Sequence, residues 1–386
     1  MTCIFKVDIS FDTHTYINAW SSLQDGYVDK WRTPVYPLVL GLMKAICGDY
    51  YLYSVVIIQH FVFLVSIRFL FLLMLNVNIC KNISFFLTFI YALYPCVATY
   101  NCCIVTEAFA VAGTIFLLYS INKLYEKGTA RFGFYAFLCL LFLIFLRPAV
   151  VYLLPVTMVG WCVIAIKRRS FLDKTFIWGA VGNGIVTICL IIYMVMFKFN
   201  FGVFTPSGIG LINQYTIAKA ANIIDFNDKK EELGFYQEAE YYINTIGMKS
   251  FSDSLNNSIS RNKIKYINRI SLNVRKASED NLLEPSWPTG IIGVVSNICC
   301  VKIKYVLFLL LVYAVVLLRW MKKQKELVFF SCLLFLIGIS NFVLIIIGSP
   351  GEYGRLSLPA LPAYFIMFGQ LLNVVKLKNV MKVRFE

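Results

Sequence analysis

Apolar residues in this chain run in long, nearly unbroken blocks. They show neither the three-to-four spacing of a soluble amphipathic helix nor the alternation of a half-buried strand. The blocks fall at 51–77, 82–100, 104–121, 131–147, 149–166, 176–198, 304–320, 327–347 and 357–375. Each is close to the roughly 20 apolar residues needed to cross a bilayer core. The pattern therefore predicts nine spanning helices, with Arg147-Pro148 a tight turn at a membrane edge. Val35–Cys47 is apolar but too short to span, and suits a helix lying in the interface. Between the sixth and seventh blocks lies a polar insert, 199–303, in which Glu231–Ile246 and Ser250–Ala277 read as helices. The second is amphipathic, with Ile264, Ile267, Ile270 and Leu272 among Lys263, Lys265, Arg269 and Arg275. It reads either as a surface helix packed on its neighbours or as one resting on anionic headgroups. The predicted fold class is all-α: a polytopic transmembrane bundle divided into an extracytoplasmic first loop with its interfacial helix (1–50), a six-helix region (51–198), an extracytoplasmic helical insert (199–303), and a three-helix region with a short cytoplasmic tail (304–386).

Composition agrees. Of 386 residues, 59% are hydrophobic and 15% charged, and the mean hydropathy is +0.72. A soluble domain seldom carries so little charge. The net charge of +15 would suggest nucleic acid in a soluble protein. Here the basic residues cluster in short connections, as orientation signals do, and nucleic acid is not an expected partner. Lys81, the group Lys123, Lys127 and Arg131, the group Lys167–Lys174, the group Arg319–Lys325 and the C-terminal lysines mark one side. The opposite short loops hold Arg147 and Arg355. The positive-inside rule places the first set in the cytoplasm, and the first loop and insert outside. An outside N-terminus without a preceding span leads to the expectation that a first helix lies upstream of Met1. The twelve cysteines lack metal-site or CxxC spacing, and His14 and His60 are isolated, so no metal is indicated.

The chemistry-bearing residues gather at the predicted outer edge. Asp12 lies before Tyr16 and Ala19, followed by Gly26 and then Arg32-Thr33-Pro34-Val35-Tyr36-Pro37-Leu38. Asp12 is either the N-cap of a helix over Thr13–Leu23 or a base able to take a hydroxyl proton, and the two roles are compatible. Arg32 beside the prolines suits a phosphate. Glu107 opens a helix, where a carboxylate favours the dipole or pairs with Arg147. Arg147 and Arg355 are cations on the side where cations are rare, and Glu352 is placed to pair with Arg355. Arg68, inside a span, reads as structural.

The order Asp-x-x-x-Tyr-x-x-Ala, Gly, Arg-Thr-Pro-x-Tyr-Pro-Leu resembles the first outer loop of the GT-C superfamily of membrane glycosyltransferases. More narrowly it resembles the bacterial branch of protein O-mannosyltransferases and lipid A aminoarabinose transferases. Thr106-Glu107, Arg147-Pro148 and Glu352-Tyr353-Gly354-Arg355-Leu356-x-Leu-Pro359 extend the likeness from Asp12 to about Leu371; the insert does not take part. The resemblance implies inverting transfer from a polyprenyl-phosphate sugar, with Asp12 as general base and Asp8 its rival. Arg32, Tyr36, Glu107, Arg147, Glu352, Tyr353 and Arg355 would bind substrate, with no cofactor. The implied partners are the carrier-linked sugar, membrane lipid and a glycan, glycolipid or protein acceptor, in a bacterial inner membrane with the site facing the periplasm or exterior. Two other classes stand beside it. A lipid-linked oligosaccharide flippase or exporter would string charges through its spans. An O-antigen-type polymerase would use loop arginines such as Arg261, Arg269 and Arg275.

Overall fold

The structure is a computed structural model that describes residues 7–224, 234–279, 302–323, 325–348 and 353–383. Its described part is helical apart from one isolated bridge. Seven stretches are long and apolar enough to cross a membrane: Val35–Asn76, Glu107–Lys127, Pro148–Ile166, Lys174–Phe201, Ile303–Trp320, Val328–Gly348 and Tyr353–Val374. The chain is a multi-pass membrane protein.

Two of the nine expected spans are revised. Block 82–100 is two helices, α4 (Lys81–Ala92) and α5 (Pro95–Cys102). The residue before a proline is pushed out of helical geometry, and Tyr94 is accordingly extended (φ −64, ψ 112). Block 131–147 is a 17-residue helix, α7 (Ala130–Leu146), shorter than any of those seven stretches. Val35–Cys47 does form a helix, α2, and runs through a turn into α3 (Tyr51–Asn76). The chain reverses at Gly48 (φ 57, ψ −131), so α2 packs back on α3. That backbone geometry is close to glycine-only.

Helix α6 (Glu107–Lys127) is the hub. It packs against α3 and α7, and 78% of its most apolar window is buried. Only 28% is buried in α9 (Lys174–Phe201) and in the helix we number α14 (Ile303–Lys323), so these two line the periphery. Helix α8 (Leu153–Arg168) is pinned to α9 by a buried amide. Asn183 donates to the Leu154 carbonyl at 3.0 Å and the Thr157 hydroxyl at 2.8 Å, and accepts from Trp161 Nε1 at 3.3 Å. Helices α15 (Lys325–Gly348), α16 (Tyr353–Ser357) and α17 (Leu361–Val383) complete the bundle.

The insert holds α10 (Ile209–Ala220), which the sequence pattern missed, and α11 (Phe235–Ile246). The expected helix Ser250–Ala277 is two, α12 (Met248–Arg261) and α13 (Lys263–Glu279), broken at Asn262. The part of the expected Glu231 helix before Gly234 lies outside the described residues. The insert has its own core, in which Tyr215, Phe251, Leu255 and Ile243 are buried with Trp31 against them.

Helix α1 (Phe11–Gln24) starts one residue before Asp12. Ser10 is the N-cap, and its N–H donates to the Thr13 hydroxyl at 3.0 Å. Asp12 is thus not the cap: it sits in the first turn with its side chain engaged elsewhere. Helix α1 lies on α2 so closely that a Cβ built on Gly41 would come 2.3 Å from the Trp20 ring. Gly41→Ala is therefore expected to lift α1 and lower stability by about 1–3 kcal/mol, read as an earlier thermal unfolding midpoint in detergent.

A candidate active site at one end of the bundle

Five elements meet at the end of the bundle that carries the insert. The extended residues before α1 pair with the connection between α5 and α6: Asp8 N–H donates to the Cys102 carbonyl at 3.0 Å, and Ile104 N–H to the Asp8 carbonyl at 3.2 Å. The Thr13 hydroxyl donates to the Ile104 carbonyl at 3.1 Å. These bonds set the first turn of α1 against the first turn of α6, bringing Asp12 toward Glu107. Arg147 ends α7, and Arg355 lies on α16.

The side chains form one continuous chain of ion pairs. Arg32 donates to one Asp12 oxygen and Arg355 to the other. Arg355 also donates through Nε to Glu107, and Arg147 reaches the same Glu107 oxygen at 2.7 Å. Burial is graded. The Glu107 side chain is 0% exposed and Arg147 9%, while Arg355 and Asp12 are 18% and 20% exposed. The closed end is a structural anchor and the other end reaches solvent. Among the described residues, three guanidiniums and two carboxylates make up these pairs, with Asp29 close to Arg32. Guanidiniums gathered at the solvent-reaching end suit an anion.

Burial pushes the Asp12 carboxyl up, but Arg355 and Arg32 outweigh it and hold its pKa at about 2. A depressed carboxylate contributes stability above its unfolded pKa, and that contribution is lost as pH falls through the folded value. The Asp12 pairs should therefore stabilise the fold fully above about pH 4 and lose this effect toward pH 2. Unfolding midpoints of wild type and Asp12→Asn compared across that range would show the gap closing as pH drops.

Arg32 is held on every side. Its Nε donates to the Thr15 hydroxyl at 2.7 Å and its Nη1 to the Tyr16 hydroxyl at 3.2 Å, with the guanidinium 4.3 Å from the Tyr16 ring centroid. Asp29 accepts the backbone N–H groups of Trp31 and Arg32 at 2.8 and 2.7 Å. Burial raises the Asp29 carboxyl, and these two N–H groups offset part of that. The insert clamps the same loop. Ser207 Oγ donates to the Trp31 carbonyl at 2.6 Å, Gly208 N–H to the Lys30 carbonyl at 3.0 Å, and Lys30 Nζ to Asn244 at 2.7 Å. Asn213 donates to the Gly348 carbonyl at 2.7 Å, tying the insert to the end of α15, just before Arg355. The insert thus braces the loop that carries Arg32 and the end of α15.

The structure brings Asp12, Arg32, Glu107, Arg147 and Arg355 together. Tyr36 lies directly behind them, its ring edge-on to Tyr16 at 4.8 Å: it is fully buried, and its hydroxyl donates to Gln59 at 3.0 Å. Gln59 in turn donates to the Asn101 and Cys103 carbonyls at 3.0 and 2.9 Å. Tyr353 is buried at the start of α16, and Glu352 lies outside the described residues. Arg355 pairs with Asp12 and Glu107 among the described residues, and the pairing expected of it with Glu352 falls on a residue outside them. Asp8, the rival acid, accepts from the Cys103 thiol at 3.3 Å; burial and Asp8 push that thiol up, which keeps it a donor. Arg261, Arg269 and Arg275 lie on α12 and α13. Sequence reasoning missed Thr15, Asp29 and Gln59. Of these only Gln59, a lone amide inside an apolar run, carried a signal.

No family model matches this sequence, and no curated protein does. Among solved structures, the archaeal oligosaccharyltransferase AglB from Archaeoglobus fulgidus, in complex with an inhibitory peptide and a dolichol-phosphate, is similar. The TM-score is 0.51 at 14% identity, over 97% of this chain and 48% of that one. The fold is of the GT-C type. The chain spans about half the length of AglB. In this GT-C fold the ion-pair chain joins the first loop, α6, α7 and α16 at one end of the bundle.

Proposed function

We propose that the chain is a membrane glycosyltransferase. It moves a sugar from a polyprenyl-phosphate carrier to a hydroxyl of an envelope glycan, glycolipid or protein, with inversion, on the extracytoplasmic face of a bacterial inner membrane. The observation that carries this reading is the meeting of Asp12 with Arg32 and Arg355 at the solvent-reaching end of the ion-pair chain.

The reaction needs two things there. The acceptor oxygen attacks the anomeric carbon as the bond from that carbon to the carrier phosphate breaks. The phosphate leaves with an additional negative charge, which Arg32 and Arg355 neutralise. The acceptor proton passes to Asp12. With a pKa of about 2, Asp12 is ionised at any working pH but is a weak base while both arginines hold it. A bound phosphate competes for the same guanidiniums. As they turn toward it, Asp12 loses its opposing charges and its basicity rises. The carrier therefore binds first and prepares the base. Glu107 and Arg147 hold the inner side of Arg355 in place throughout.

The test is transfer by the purified chain in proteoliposomes, from radiolabelled polyprenyl-phosphate monosaccharides to envelope extract, read as label in acceptor together with release of polyprenyl phosphate. Substrate-dependent release supports the reading. Carrier sugar crossing the bilayer with its phosphate bond intact would support a flippase instead. Arg32→Gln is expected to move the acid limb of kcat/KM to higher pH, because one of the two charges holding Asp12 down is gone. An unmoved limb would exclude Asp12 as the titrating base.

A further inference from the structure

Helix α13 raises a question that the ion-pair chain does not answer. One side of it is built into the protein. Tyr266 packs on the insert core, whereas Ile270 and Ala277 pack on the core of the membrane bundle. Asn273, on the same side, is 1% exposed. The helix also contacts α14 and α15 of the bundle and α10 and α12 of the insert. It therefore lies along the seam between the two.

Its other side is apolar and open. Ile264 is 76% exposed, Ile267 62% and Leu272 52%. At 3.6 residues per turn, Ile264, Ile267 and Val274 share one stripe with Ser271, while Leu272 lies apart from them across Asn268 and Arg275. The helix is thus a surface helix packed on its neighbours along one side. The open stripe is bordered by cations: Lys263 on one flank and Arg275 on the other, with Lys265, Arg269 and Lys276 beyond. The helix contains five basic residues and one acid, Glu279. Helix α14, which it contacts, carries its own outward strip of Tyr305, Phe308, Leu311, Val315 and Leu318, each more than half exposed on a helix apolar enough to span. Helix α13 thus packs beside a helix whose outward surface is apolar enough to face lipid.

Branched aliphatics left in water at such a rim cost about 25 cal/mol per Å². Inserted among acyl chains they do not, and lysines on the flanks extend their ammonium groups to the phosphate level. We infer that α13 is an in-plane membrane contact: its apolar strip enters the outer edge of the bilayer on the insert side, and its flanking cations bind the headgroups of anionic lipids. The contact fixes the height of the insert over the bilayer, and with it the two segments that the insert braces.

The test uses the full chain with p-benzoylphenylalanine in place of Ile267, and separately of Ile264. Each variant is reconstituted in nanodiscs of phosphatidylglycerol and phosphatidylcholine, irradiated and read by intact mass. Both sites are exposed, so the variants should fold, and two sites guard against one failing. Lipid adducts are expected at both, with phosphatidylglycerol enriched about fivefold over its mole fraction, as one interfacial cation would give. In the Lys263→Glu, Lys265→Glu, Lys276→Glu background the enrichment should fall to the mole-fraction ratio. Absence of lipid adducts, or cross-links to a second protein chain instead, would overturn the membrane contact. Adducts without headgroup preference in the parent variants would overturn the anionic part.

Discussion

Asp12→Asn is expected to lower transfer by about 10²–10⁴-fold, the range typical for loss of a positioned general base. Asparagine keeps the shape and one acceptor oxygen, so Arg32 or Arg355 still has a partner, but it cannot take the acceptor proton. Carrier binding should survive or tighten, because the arginines are released from a competing carboxylate. The informative measurement is therefore the split between carrier affinity and single-turnover rate. A large fall in rate with affinity kept fits a base. Equal loss of both would mean that Asp12 only holds the arginines, and wild-type turnover would remove it from the mechanism. Asp8→Asn is the matched control: Asp8 accepts from the Cys103 thiol, and its effect should be much smaller. A flippase or a polymerase that relies on Arg261, Arg269 or Arg275 predicts little effect from either change.

The second large effect is on stability. Glu107→Ala should destabilise the fold by about 3–5 kcal/mol, the cost of stranding one partner of a buried pair. Glu107 is fully buried and receives both Arg147 and Arg355, and Arg147 is itself buried. Removing the acid leaves Arg147 with an uncompensated charge beside the hub helix. The double replacement Glu107→Gln, Arg147→Gln should recover much of the loss, because no unpaired ion remains. Unfolding in mixed micelles would read both variants. If the single variant were no less stable than the double, Glu107 would not be the anchor of the chain.

Much of the architecture was readable along the chain because membrane helices obey a local rule. Every backbone amide in hydrocarbon must be satisfied within its own helix, so a block of apolar residues is enough to announce a span. That rule located the blocks that became α3, α6, α8, α9, α14 and α15. It failed where local geometry interrupts an apolar run: Tyr94 before Pro95 splits one block. In the polar insert the signal is weaker, since helices there depend on packing. Helix α10 went unseen, and the break at Asn262 was read through.

The candidate site divides in the same way. The acids and arginines stood out individually, because a charge at the edge of an apolar chain is costly and so conspicuous. Their partners did not. Asp12 looked like a helix cap, yet Ser10 and Thr13 serve that end, leaving the carboxylate for arginines 20 residues away and in α16. Tyr36 looked like a ligand for substrate, yet its hydroxyl is committed to Gln59.

By itself, then, the sequence determined a polytopic helical membrane protein with scarce charges gathered toward one end, since hydrophobicity and charge act residue by residue. Which charge meets which was left to tertiary structure. Arg355 reaches Glu107 across 248 residues, and only the packing of α1, α6, α7 and α16, with the Asp8 bridge and the insert holding the loops, brings those atoms within bonding distance. Ion pairs act over a few ångströms, and separation in sequence carries no information about separation in space.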